Sequence, residues 1–164
     1  MELLPCRLSI DDLDRFVARL GEIGDTHGAT IQAFDARYVA GEAHLRRAVE
    51  LADRAIARKE AIARDRAVEI LLYAAGRRQI DRALEMGVGE GECDAVVLID
   101  GGDEVGALAD LRGLDAFVGD REAMGGDEAT IERFFEITAA ERAATDAVFE
   151  DLVRERVALL VVEK

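Results

Sequence analysis

An α/β (α+β) fold, with helices covering a small mixed or antiparallel sheet in a single domain over residues 1–164, is what this sequence predicts. Three observations carry that prediction. Apolar residues recur at helical spacing in several segments. Short strand-like runs, the best of them Cys93–Ile99 (CDAVVLI), are interspersed with those helices. The chain has 164 residues, half of them hydrophobic and only one a proline, which suits one domain with a sizeable core.

The elements follow in order. Residues 2–8 (ELLPCRL) read as a first strand, with Pro5 suggesting an edge or a bulge. Ser9 precedes a helix in which Ile10, Leu13, Phe16, Val17 and Leu20 share a face, with Ser9 as cap and Gly21 or Gly24 as stop. Residues 29–34 (ATIQAF) alternate as a strand. Residues 41–59 form the clearest helix, with Leu45, Val49, Ala52 and Ile56 as its buried stripe. A short strand is expected over 60–63. Asp65 caps a helix over 66–75 that Gly76 stops, and a further helix runs from 79 to 86. After Cys93–Ile99 come a short helix over 102–111, a strand over 116–118 and a helix over 128–137. Thr138 caps a last helical region that continues through 145–156, and 157–162 reads equally as helix end or strand.

Several classes are excluded or disfavoured. MELLPCRLS lacks the basic and apolar regions of a secretory signal, and no apolar run approaches the roughly 20 residues of a membrane span, so a soluble cytoplasmic protein is expected. Cys6 and Cys93 lie in apolar strands and read as buried thiols. His27 and His44 are far apart, and no Cys-x-x-Cys or His-x-x-x-His spacing suggests zinc. The formal net charge is −14, and only Lys59 and Lys164 of the twenty-one basic residues are lysines. That composition suggests a salt-adapted, haloarchaeal proteome; an acidic protein from a GC-rich bacterial genome is the alternative. The charge is unevenly distributed: residues 37–82 hold eleven basic and seven acidic side chains, a balance of +4, against −18 for the remainder.

Few constellations suggest catalysis. Gly87-Val-Gly-Glu-Gly91 follows a helix and precedes a strand, the reverse of a dinucleotide loop, and Glu90 and Glu92 oppose phosphate. Asp100-Gly-Gly-Asp-Glu104 could bind Mg²⁺, but Asp103 and Glu104 equally suit a helix start. His44 has no visible nucleophile beside it. No catalytic set, metal site or cofactor is expected. What remains is the corner in EILLYAAGRRQIDRAL, residues 69–84. There Gly76 ends one helix, and Arg77, Arg78 and Gln79 open the next. Such a corner suits phosphate, through arginine forks and helix N–H groups. It equally suits salt bridges from Arg78 or Arg82 to Asp81 or Glu85.

The motif EILLYAAGRRQIDRALEMGV resembles the signature of the small regulatory subunit of the KEOPS complex, whose eukaryotic counterpart is TPRKB, the subunit that binds the KEOPS kinase. IQAFDARYVAGEAHLRRAVELADRA and ERVALLVVEK are similar to further parts of that family in the same order; the acid-rich stretch from Asp103 to Asp127 matches nothing in it. The resemblance implies a small sheet covered by helices and a non-enzymatic role. It also implies partners: the atypical kinase/ATPase subunit, and the 3′ CCA end of tRNA, in support of threonylcarbamoyl-adenosine modification. Arg77, Arg78 and Gln79 map onto the signature as RNA contacts; Arg82 lies on the same corner, and Lys59 and Arg64 join them by proximity in sequence. Tyr73 is a candidate stacking residue or a core residue. Val153, Val157, Leu160 and Val161 are candidates for the kinase interface, with ordinary core packing as the alternative. Two other functions stay open: a protein-interaction subunit without RNA contact, and a small metal-dependent enzyme using Asp100 and Asp103.

Overall fold

The computed structural model describes residues 1–163, with side chains through residue 161. The expected mixed α/β class holds: the described residues form eight α-helices and one four-stranded antiparallel sheet. None of the helices is long and apolar enough to cross a membrane. The chain divides into two compact units.

The first unit comprises Met1–Ala36 and Gly87–Met124. Its strands β1 (Glu2–Ile10), β2 (Thr30–Asp35), β3 (Gly91–Asp100) and β4 (Phe117–Asp120) lie in the order β2-β3-β1-β4. Alternate residues build one buried face: Leu4, Cys6, Leu8 and Ile10 from β1, Ile31 and Ala33 from β2, Ala95, Val97 and Ile99 from β3. Phe16, Leu20 and Ile23 of α1 (Leu13–His27) and Ala107 and Leu111 of α5 (Glu104–Arg112) cover it. Burial pushes the Cys6 thiol up to about 12, so it behaves as a small apolar core residue.

Three local expectations change here. β1 is an interior strand, not an edge, and its ladder with β4 shifts register between Arg7 and Leu8, so the irregularity lies two residues beyond Pro5. Pro5 pairs with Val96 of β3 on one side, while its own carbonyl accepts from Arg121 N–H at 2.8 Å on the other. A residue's N and C=O point to the same side of a strand. The proline nitrogen therefore faces Arg121, just past the end of short β4, and the ladder between the two strands stops where the reciprocal bond of that pair has no donor. The α1 cap is Asp12, which accepts from Arg15 N–H at 3.1 Å, not Ser9. Ser9 still belongs to β1, its N–H bonded to Ala116 C=O at 2.8 Å. The helix then runs past Gly21 and Gly24 to Gly28, which takes the left-handed conformation that closes it.

The second unit comprises Arg37–Met86 and Gly125–Lys164, and is helical: α2 (Glu42–Ala57), α3 (Arg66–Ala75), α4 (Ile80–Ala83) with a 3₁₀ turn (Leu84–Met86), α6 (Glu128–Phe135), α7 (Ala139–Ala143) and α8 (Phe149–Glu163). Its centre is α3. Residues 69–75 are buried without interruption, the signature of a helix surrounded by others, and α2, α4 and α8 pack on it. Tyr73 is accordingly core. Residues 60–63 form no strand, and 157–162 continue α8.

Candidate nucleic-acid interface

The two units differ sharply in charge. The first holds seventeen acidic and five basic side chains, a balance of −12; the second holds eighteen and sixteen, a balance of −2. Within the second, Arg46, Arg47 and Arg66 pair with Glu42, Glu50 and Asp53. By contrast Arg54, Arg58, Lys59, Arg64 and Arg82 are exposed and form no ion pair among the described residues. Anionic side chains are plentiful in this chain, so cations left without them are available to an external anion.

The predicted contact residues fall into two groups at opposite ends of α3. Arg77, Arg78, Gln79 and Arg82 lie beyond its C-terminus; Lys59 and Arg64 lie before its N-terminus. Ten helical residues separate the groups by about 15 Å.

At the C-terminal end, Gly76 adopts φ 62° and Arg77 N–H returns to Leu72 C=O at 3.0 Å, the Schellman closure of α3. A Cβ at Gly76 would also stand 3.2 Å from Arg156 C=O. The turn sends Arg77 inward. Its guanidinium donates from Nη2 to Phe134 C=O and stacks 4.9 Å above the Phe134 ring. Arg156 Nε donates to the next carbonyl, Phe135, at 3.1 Å. Two arginines thus cap the last carbonyls of α6, groups that have no partner within their own helix. Arg77 is part of the fold. Arg78, Gln79 and Arg82 remain on the surface, beside Ile80 and Leu84, which are 47% and 57% exposed. Within α4, Ala83 is the buried residue.

At the N-terminal end, α2 closes on Lys59, a non-glycine residue at φ 59°. Lys59 N–H bonds Ile56 C=O at 3.1 Å and Glu60 N–H bonds Ala55 C=O at 2.8 Å, a second Schellman closure. Residues 60–65 then bend to α3, where Asp65 caps by accepting from Ala67 N–H at 2.7 Å. The fully buried Glu69 carboxylate reaches back to the Ile62 and Ala63 amides. The sequence showed an acidic residue at the head of the motif but no sign that it is buried.

Other candidates resolve into structural roles. His44 is fully buried: Nδ1 accepts from Ala40 N–H at 3.1 Å, so Nε2 carries the proton and donates to Ala74 C=O at 2.8 Å. Burial lowers its pKa to about 4, against the smaller upward pull of the Ala74 bond. Asp103 is the α5 cap, accepting from Gly106 N–H at 3.0 Å. It also meets His27 Nδ1 at 3.3 Å. No group of three His, Cys, Asp or Glu side chains among the described residues is placed to hold a metal ion. On α8, Val153, Val157 and Leu160 are buried, in keeping with the packing alternative, whereas Val161 is exposed together with Leu159.

A family profile described as kinase binding protein CGI-121 matches residues 21–160. No curated protein matches the chain.

Proposed function

This chain belongs to the CGI-121 kinase-binding family, and from that premise we propose that it is a non-catalytic, cytoplasmic subunit of the KEOPS complex. In this reading it binds the atypical kinase/ATPase subunit and the 3′ CCA end of tRNA, supporting threonylcarbamoyl-adenosine modification. The observation that carries the RNA half is the set of exposed cations without ion pairs, Lys59, Arg64 and Arg82 among them, in a chain of net charge −14. A single-stranded tail exposes bases and phosphates, and a few local donors beside apolar side chains suit it better than a broad basic surface does. Arg78, Gln79 and Arg82, with Ile80 and Leu84 beside them, supply that combination at one end of α3; Lys59 and Arg64, with exposed Ile62, supply it at the other. For the kinase, exposed apolar groups on α8 are Leu159 and Val161; Val153, Val157 and Leu160 support that surface from beneath.

The direct test is binding to tRNA with and without its CCA end, at high salt. Preference for the CCA-ended form is expected; equal binding to both would overturn the CCA assignment. The kinase half is checked by co-expression with a KEOPS kinase subunit and co-purification. The second reading, a kinase-binding subunit without RNA contact, is favoured by one observation: Arg77, a motif arginine, is engaged by Phe134. It predicts co-purification and no tRNA shift.

A further inference from the structure

Glu69 lies in the first turn of α3 and is fully buried. Its Oε1 accepts from Ile62 N–H at 3.0 Å and from Ala63 N–H at 2.8 Å, and its Oε2 accepts from Ile62 N–H at 3.1 Å. A carboxylate taken out of water is costly unless hydrogen bonds replace its hydration, and an apolar side chain closing the same gap would be the cheaper way to join two helices. What the carboxylate adds is geometry. It holds two successive amides at fixed points, which sets the course of the backbone immediately before Arg64. The other end of the segment is set too, because the Schellman closure of α2 holds Lys59 in a left-handed conformation that a side-chain-bearing residue rarely adopts. Both ends of a stretch without regular structure are therefore pinned, and the two cations it carries, Lys59 and Arg64, are exposed and without ion pairs among the described residues. Strain and a buried charge together, in a loop whose two cations are exposed and form no ion pair among the described residues, point to an external ligand.

We infer that Glu69 is a positioning residue for RNA: through the Ile62 and Ala63 amides it holds residues 59–64 in the shape that aims Lys59 and Arg64 at phosphates of the tRNA 3′ end. This rests on the RNA-binding reading above. Glu69 itself touches no RNA; it acts through the loop.

The experiment compares wild type, Glu69→Ala, Glu69→Asp, Lys59→Ala/Arg64→Ala and the triple variant with Glu69→Ala, using CCA-ended tRNA over a range of salt. Amide exchange at Ile62 and Ala63 and co-purification with the kinase subunit are followed in parallel. Glu69→Ala is expected to speed exchange at both amides, raise Kd at least tenfold and flatten the salt dependence. Loss of two phosphate contacts corresponds to a slope change of about 1.4. Glu69→Asp keeps the charge but is one methylene short of the amides, and is expected to weaken binding with the fold and kinase co-purification intact, so it carries the test if Glu69→Ala does not fold. In the Lys59→Ala/Arg64→Ala background, Glu69→Ala is expected to change Kd less than twofold, because the cations it positions are gone. Fast amide exchange with wild-type Kd and slope would overturn the inference, as would an equal loss in both backgrounds. Absence of tRNA binding by wild type would overturn the RNA reading itself and this inference with it, an outcome distinct from the other two.

Discussion

The guanidinium of Arg77 donates to the main-chain carbonyl of Phe134, fifty-seven residues later, and lies 4.9 Å above the ring of the same residue. One side chain thus closes two helices: its backbone completes α3, and its head group caps α6 beside Arg156. The physical consequence is that the two arginines of the motif, adjacent in sequence, separate in role.

Arg77→Ala is expected to destabilise the second unit by about 1–3 kcal/mol, through a buried carbonyl left without its donor and the loss of the ring contact. Urea denaturation checks it. A cost within a few tenths of a kcal/mol would remove Arg77 from the cap of α6.

Arg78→Glu/Arg82→Glu leaves that cap intact. Both residues are exposed, so the melting temperature should stay within the small range of surface substitutions. Affinity for CCA-ended tRNA should fall at least tenfold, with a shallower salt dependence. Unchanged affinity would leave the RNA contact without the corner.

Lys59→Gly and Glu136→Gly form a matched pair. Both positions have positive φ, 59° and 56°, and both close a helix. Glycine relieves the steric cost of that conformation, so each variant should be more stable by about 1 kcal/mol. Only Lys59→Gly should weaken tRNA binding, since it alone removes a cation from the site. Stabilisation with equal RNA affinity in both variants would count against Lys59 as a contact.

The two histidines predict opposite pH responses. His44 titrates near 6.5 unfolded but is held down to about 4 by burial. Between those values the unfolded chain binds the extra proton, so stability falls as pH drops through that window, by about 3 kcal/mol. His27 stands between Asp110, 2.7 Å from Nε2, and Asp103, and its pKa is raised, chiefly by the Asp110 bond. Its contribution is fully present below 6.5 and is lost as pH rises through the raised value. Urea midpoints across pH 4–8 check both: His44→Gln should remove the acid-side loss that depends on this residue, and His27→Gln the alkaline-side one.

Much of this was legible beforehand because it is written locally. Leu45, Val49 and Ala52 of α2 are buried at the expected helical spacing, although Ile56, expected on the same stripe, is 41% exposed; Asp65, Asp103 and Thr138 stand three residues or fewer from the amides they cap. Gly76 marks its own turn. Where local signals compete, a boundary moves: Ser9 is a good cap, but the bond of its N–H to Ala116 C=O keeps it in β1. Spacing also put Val17 on the buried face of α1, yet it is exposed, while Phe16, Leu20 and Ile23 of that helix face the sheet.

By itself, then, the sequence determined most of the alternation of elements, the caps at Asp65, Asp103 and Thr138, the cationic segment in an acidic chain and the family motif, because each depends on residues within a turn or two of one another. Tertiary structure alone decided which motif residues face outward. Arg77 turns in because an α6 carbonyl lacks a partner, Glu69 is buried because two loop amides need an acceptor, and Val153, Val157 and Leu160 face the core while Val161 does not. It also decided that Lys59 and Arg64 stand a helix length from Arg78 and Arg82. Those outcomes depend on groups distant in the chain or on the rigid length of α3, and no local pattern of side chains encodes them.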